Sequence, residues 1–261
     1  MPAPSHLSAQ PSLPTLTVDG HVATLRLHRP DVHNRIEPAD IVEMLKLFDA
    51  VDANTLIRVL VIAAAGKSFS SGFYINAIGT HEDSTTAGFD AMTDRLERVR
   101  PPTIAALNGG VYGGSTDLAL ACDFRIGVAG MSMFMPAAKL GLHYYPGGMQ
   151  RYISRLGIDT AKRLFLLADR LDADELLRIG FLTELVAPAA LAETVAARAA
   201  TLAANAPLAV QGMKAALNDI ARGDADLTEI ADRAAAVALS ADLREGRAAW
   251  MEKRAPRFTG A

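Results

Sequence analysis

The chain has 261 residues, half of them hydrophobic, with 26 Lys and Arg against 29 Asp and Glu for a formal charge of -3. That length suffices for one sizeable core, and the near balance of charge excludes both the basic excess of a nucleic-acid binder and a solvated acidic tail. One cysteine, Cys122, rules out a disulfide framework and points to a reducing, cytoplasmic setting, and no apolar run approaches the roughly 18 residues of a membrane span.

The first 14 residues, MPAPSHLSAQPSLP, lack the basic start and apolar centre of a signal peptide and read as a loose arm rich in Pro and Ser. Leu16-Thr17-Val18 and Val22 to Leu27 predict a hairpin through the Asp19-Gly20 turn. Pro38 has the place of a first-turn proline, and Ile41, Met44, Leu45, Phe48 and Val51 recur at helical spacing, which predicts a helix from about Pro38 to Ala53. Val59 to Ala63 is a continuous apolar run, the pattern of a strand covered on both faces. A small-residue loop follows, Gly66-Lys67-Ser68-Phe69-Ser70-Ser71-Gly72-Phe73-Tyr74-Ile75, and then a helix from Asp90 to Val99 that stops before Pro101-Pro102.

The central stretch, Pro102 to Asp123, carries the strongest signal. An apolar strand, Thr103 to Leu107, ends in Asn108-Gly109-Gly110, and a second glycine pair, Gly113-Gly114, opens an apolar segment from Leu118 to Cys122. Glycine lets the backbone lie against a ligand, and amides at a helix start have no intrahelical partner and sit at the positive end of the dipole. Such amides suit a phosphate or an oxyanion formed during a reaction. Neither the lysine and hydroxyl of a phosphate loop nor a G-x-G-x-x-G fingerprint is present, which leaves an oxyanion site or a plain tight turn. Next come a strand, Phe124 to Val128, and Met131, Met133 and Met135, whose alternation places them on one strand face as core. Pro136 to Gly148 is a third loop, holding His143-Tyr144-Tyr145-Pro146-Gly147-Gly148. Helices are predicted from Leu156 to Ala168 and from Ala173 to Ile179, with a short strand at Leu185-Val186. From Pro188 the chain is alanine-rich and helical, broken at Asn205-Ala206-Pro207 and Gly223-Asp224.

With these loops in order, the chain from about Leu16 to Phe258 resembles the enoyl-CoA hydratase/isomerase family, the crotonase superfamily. The resemblance rests on the segment Gly66 to Ile75, on Asn108-Gly109 with Gly113 to Ala119 and Cys122-Asp123, and on Leu140-Gly141. Gly147 to Arg151, Asp172 to Leu182 and the ending Glu252 to Phe258 extend it. It implies an α/β fold, a spiral of repeated ββα turns with a C-terminal helical region used for trimer packing, often as dimers of trimers. The units would be an arm over 1–14, a spiral core with the acyl-CoA site over 15–195, and a helical region over 196–261. The resemblance further implies that the amides of Phe73 and Gly114 form an oxyanion hole for an acyl-CoA thioester. Ser71, Gly72, Tyr74, Gly113 and Ala137 would line the substrate, and Lys253 would reach the coenzyme A of a neighbouring subunit or else be a solvated charge in a basic tail. Coenzyme A enters as part of the substrate, and no other cofactor, metal, nucleic acid or membrane is expected.

Hydratases of this family use two glutamates. Here the first position is Asp117 and the second is Ala137. Asp117 reads either as the single catalytic carboxylate or as an acid favoured by a helix's first turn. Tyr144, Tyr145 and His143 are the further catalytic candidates: the phenols as hydrogen-bond donors, the imidazole as acid or base, or otherwise a loop histidine. The implied function is hydratase/isomerase chemistry on an acyl-CoA. Decarboxylation of a malonyl-type thioester through a loop tyrosine, or a CoA-binding role with impaired catalysis, are the alternatives.

Overall fold

The computed structural model describes residues 13–77 and 88–261. Most of the expected N-terminal arm therefore lies outside the described residues. The hairpin forms as predicted: β1 (Thr15–Asp19) pairs antiparallel with β2 (Val22–Leu27), and Gly20 takes the left-handed conformation that so tight a connection needs. Helix α1 (Pro38–Ala53) starts on its proline and is closed by a capping box between Glu37 and Asp40, and it buries Ile41, Met44, Phe48 and Val51.

From there the chain winds in repeated turns, each delivering one strand to a large sheet and one to a small sheet. Strands β3 (Val59–Ala64) and β4 (Ser68–Ser70) precede helix α2 (Phe89–Glu97). Strands β5 (Thr103–Leu107) and β6 (Gly110–Tyr112) precede α3 (Ser115–Ala121). Strands β7 (Phe124–Val128) and β8 (Ser132–Phe134) are followed by α4 (Pro146–Leu156) and α5 (Ile158–Lys162), the latter extended by a π-helical turn over Arg163–Leu167. Strand β9 (Arg170–Asp172), helix α6 (Ala173–Arg178) and strand β10 (Glu184–Val186) end the spiral. The large sheet has the order β1-β2-β3-β5-β7-β10 and is parallel beyond the first hairpin; the small sheet has the order β4-β6-β8-β9.

The unbroken apolar run of β3 is explained by cover on both faces. Leu60 and Ile62 point into the main core with Met44, Phe48 and Leu96, whereas Val59 and Val61 join Ile104 and Ile126 in a second cluster. That second cluster is closed by Val195 and Ala199 of α7 (Leu191–Ala204). The boundary expected between residues 195 and 196 therefore falls inside a helix that packs on the sheet, because the outer face of a parallel sheet must also be covered. Helices α8 (Pro207–Arg222), α9 (Leu227–Ala238) and α10 (Ala241–Glu252) follow, broken as expected near residues 205 and 223 and again at Ser240, which caps α10. No helix among the described residues is long and apolar enough to cross a membrane.

The helix predicted from Leu156 to Ala168 is placed differently: α4 begins ten residues earlier, at Pro146, and Gly157, at φ +81°, separates it from α5. Pro-Gly-Gly has the composition of a turn, yet proline at the first helical position loses no hydrogen bond. Met131, Met133 and Met135 are buried as read, with Met133 in β8.

Candidate active site

Parallel pairing of β4 with β6 sends both strands to the same edge of the small sheet, so the loops that follow them emerge side by side. The first loop holds Phe73 and the second holds Gly114, which opens α3. Their approach is close. A Cβ on Gly72, whose φ is +89°, would stand 2.6 Å from the Tyr112 carbonyl oxygen and 2.8 Å from the Gly114 nitrogen, so only glycine fits. A Cβ built on Gly114 would lie 3.6 Å from the Phe73 nitrogen. Bonds on either side tie down the Phe73 segment: Ile36 N–H donates to Gly72 O at 2.9 Å, and Tyr74 N–H donates to Ile36 O at 2.9 Å. Ser115 Oγ, at the start of α3, donates to Ser70 O at 2.8 Å and so joins the two loops. Among the described residues, neither the Phe73 nor the Gly114 amide has a hydrogen-bond acceptor.

Both residues line a cavity of about 180 Å³. Its wall is mainly apolar, with Phe89, Met135, Ala137 and Leu142 beside Ser71 and Gly113, and its polar side is made by His143, Tyr144 and Tyr145. The Phe73 and Phe89 rings stand 5.7 Å apart. The Tyr144 and Tyr145 rings stack with centroids 4.2 Å apart, and their hydroxyls lie 3.1 Å from each other. His143 Nδ1 is 2.8 Å from the Tyr144 carbonyl oxygen. Burial holds both tyrosine hydroxyls well above their ordinary pKa, reinforced at Tyr144 by the neighbouring phenol and then the Asp117 carboxylate, and at Tyr145 by Asp117 against the smaller opposing effect of the Thr93 and Tyr144 hydrogen bonds. Neither ring is therefore a base at neutral pH.

Asp117 is fully buried and does not line the cavity. The sequence left it as a carboxylate aimed at the substrate or a first-turn acid; the structure sets it behind Tyr145, whose hydroxyl donates to Asp117 Oδ2 at 2.6 Å. Arg151 of α4 grips the same carboxylate, Nε to Oδ1 at 2.8 Å and Nη2 to Oδ2 at 2.6 Å. Its remaining N–H groups reach Asp94 Oδ1 at 2.6 Å and Thr93 Oγ1 at 3.0 Å, with Glu97 at 3.5 Å. Burial alone would lower the Arg151 guanidinium, but the carboxylates around it raise it above its ordinary value. The Asp117 carboxylate is thus held in an ion pair outside the cavity lining.

Of the other expected residues, Ser71, Gly113 and Ala137 line the cavity, and Gly72 forms the junction of the two loops. Tyr74 and Lys253 do not line it. The Tyr74 ring lies under the Arg35 guanidinium, 4.1 Å from its centroid, and its hydroxyl accepts from Asn76. Lys253 is exposed at the end of α10. Sequence reasoning missed the role of Arg151 and of Thr93, Asp94 and Glu97. A buried arginine has no local signature, although the i, i+3 spacing of Asp94 and Glu97 beside apolar Met92 and Leu96 marked one polar stripe on α2. Among the described residues, no group of three or more His, Cys, Asp and Glu side chains could hold a metal ion.

The enoyl-CoA hydratase/isomerase family model matches residues 17–261, nearly the whole chain. The chain belongs to the enoyl-CoA hydratase/isomerase family. It is 32% identical over 244 residues to the crotonyl-CoA hydratase of Syntrophomonas wolfei, covering 91% of this chain and 94% of that protein. It is also 33% identical over 260 residues to the carnitinyl-CoA dehydratase of Salmonella arizonae, covering 94% and 97%. The crystal structure of an enoyl-CoA hydratase subunit from Geobacillus kaustophilus superimposes with a TM-score of 0.87 at 30% identity, covering 97% of this chain and all of that one. As a family member, this protein is an enzyme of hydratase/isomerase type on a crotonase fold, in agreement with the resemblance read from its motifs.

Proposed function

We propose that this family member adds water to, or removes it from, a short-chain 2-enoyl thioester of coenzyme A. The observation that carries the reading is the pair of amides, Phe73 and Gly114, without an acceptor among the described residues, on a small apolar cavity that His143 and the tyrosine pair also line. The thioester oxygen would sit between the two amides, where charge appears as the enolate forms. At about 30 Å³ per water-sized group, the cavity admits about six such groups, which suits a short acyl chain.

The step balances as follows. Water oxygen bonds to C3, its proton passes to the His143 imidazole, and the π electrons move onto the thioester oxygen; the imidazolium then returns the proton to C2 as the oxygen's charge collapses back. Tyr144 and Tyr145 orient the water and Asp117 acts through Tyr145. The relatives' names, crotonyl-CoA hydratase and carnitinyl-CoA dehydratase, support water addition and removal on carbon chains of this size. The assembly proposed is a homotrimer or a dimer of trimers.

Proton NMR of crotonyl-CoA with the protein in deuterated water tests the reading. The expected product is 3-hydroxybutyryl-CoA carrying deuterium at the α-carbon, and His143→Ala is expected to slow it by about a hundredfold or more. An unchanged crotonyl-CoA spectrum with the wild-type protein would sink the proposal.

A further inference from the structure

The tyrosine pair has a hydrogen-bond direction, and that direction is set outside the cavity. A hydroxyl has one hydrogen to donate and two lone pairs to accept with. The ion-paired Asp117 carboxylate only accepts: from Arg151 through two N–H groups, and from Tyr145 at 2.6 Å. The single Tyr145 hydrogen is thereby used. Thr93 cannot supply another, because its own hydroxyl hydrogen goes to the carbonyls of Phe89 and Asp90, at 3.1 and 2.9 Å. The 3.1 Å contact between the two phenols must then run from Tyr144 O–H to Tyr145 Oη. The Tyr144 hydrogen is used as well. His143 follows the same rule: its Nδ1 faces the Tyr144 carbonyl, which can only accept, so the neutral ring carries its hydrogen there and leaves Nε2 as an acceptor.

We infer that Arg151 and Asp117 are positioning residues that fix Tyr144 and His143 as hydrogen-bond acceptors toward the acyl group, so the cavity selects thioesters bearing a hydroxyl, or water, over thioesters bearing a carboxylate. This rests on the acyl-CoA reading above and deepens it. A malonyl-type carboxylate needs donors at the place where these side chains offer lone pairs, and it would be buried there unpaired. A 3-hydroxyl, or the water that becomes one, has a hydrogen to give. Arg151 is itself buried and held by Asp94 and Thr93 as well as Asp117, so the orientation begins from an anchored group and passes from guanidinium to carboxylate to phenol to phenol. With alanine at position 137, no Asp, Glu, Lys or Arg side chain among the described residues lines the cavity to reverse it.

Titration calorimetry with three thioesters that lack α-hydrogens, and so cannot be dehydrated, decides the matter: the CoA esters of 2,2-difluoro-3-hydroxypropionate, difluoromalonate and 2,2-difluoropropionate, with fluorine NMR of the recovered difluoromalonate ester expected to show its carboxylate intact and its loss counting against the inference. The wild-type protein is expected to bind the hydroxyl thioester at least tenfold more tightly than the carboxylate one. In Asp117→Ala the acceptor of the Tyr145 hydrogen is gone and the freed Arg151 N–H groups can donate to Tyr145 Oη, which turns the chain round and leaves the Tyr144 hydrogen pointing at the cavity. The preference should fall at least tenfold or reverse, an effect that a merely structural role for Asp117 would not produce. Tyr144→Phe should weaken the hydroxyl thioester alone, and it decides the matter if Asp117→Ala does not fold by circular dichroism. Equal affinity of the wild-type protein for the two polar thioesters, an Asp117→Ala protein with unchanged preference, or a Tyr144→Phe protein with unchanged hydroxyl affinity would each overturn the inference while leaving the acyl-CoA reading standing. Failure of all three thioesters to bind, the apolar one included, would overturn that reading and the inference with it.

Discussion

Gly72 concentrates the demands of the site on one residue. Its φ of +89° is open to glycine, and the Tyr112 oxygen and Gly114 nitrogen occupy the space a side chain would take. Gly72→Ala is expected to lose more than the roughly 1–2 kcal/mol that left-handed backbone costs an L-residue, since the loops must also part. Moving either amide from the proposed oxyanion position should lower kcat by about a hundredfold or more while KM changes little. Urea denaturation and initial rates of crotonyl-CoA hydration check both; a variant with wild-type stability and kcat would show that the two amides do not need this spacing. The two glycine loops were legible in the sequence because a glycine cluster after an apolar strand is a local pattern. The partner of Asp117 was not, since Arg151 lies 34 positions away in sequence and meets it only through packing.

At the scale of elements, α4 is the part whose place decides the chemistry. Its first turn carries Gly148 against the rings of Tyr144 and Tyr145, where a Cβ would run into Tyr144, and its second turn carries Arg151 back to α3. Gly148→Ala is therefore expected to cost about 1–3 kcal/mol by overpacking and to lower hydration turnover by displacing the tyrosine pair, despite the better helix propensity of alanine. Thermal denaturation with parallel rate measurements checks this; a rise in Tm with unchanged turnover would mean that the rings give way freely. Sequence periodicity found α1 to the residue because its apolar spacing and its proline agree. It placed a helix at Leu156 rather than Pro146, because Pro-Gly-Gly reads as a turn and only the close packing of a helix end on two aromatic rings explains glycine there.

Across the whole molecule, the C-terminal helices carry an apolar surface that the single chain leaves open. Leu217, Leu227, Leu239, Trp250 and Met251 are all at least two-thirds exposed, with Trp250 at 84%. These exposed apolar side chains suit the proposed assembly, in which other copies of this chain would cover them. Light scattering is expected to give the mass of a trimer or hexamer for the wild-type protein and a smaller mass for the double variant Trp250→Glu, Met251→Glu. A monomeric wild-type protein would refute the assembly, and an unchanged mass in the variant would place the interface elsewhere.

What the sequence determined by itself was everything carried by local pattern: the β1–β2 hairpin, α1, the doubly covered strand β3, the two glycine loops and, through the order of its motifs, the family. These follow from backbone sterics, side-chain periodicity and the special φ of glycine, which act over a few residues. Tertiary structure alone decided which groups face the cavity. It drew Asp117 away from the cavity into a pair with Arg151, put Tyr145 in front of it, and laid α7 across the large sheet. The reason is the same in each case: a buried charge or an uncovered apolar face must find its complement wherever the chain can bring one, and that requirement sets no fixed distance along the sequence.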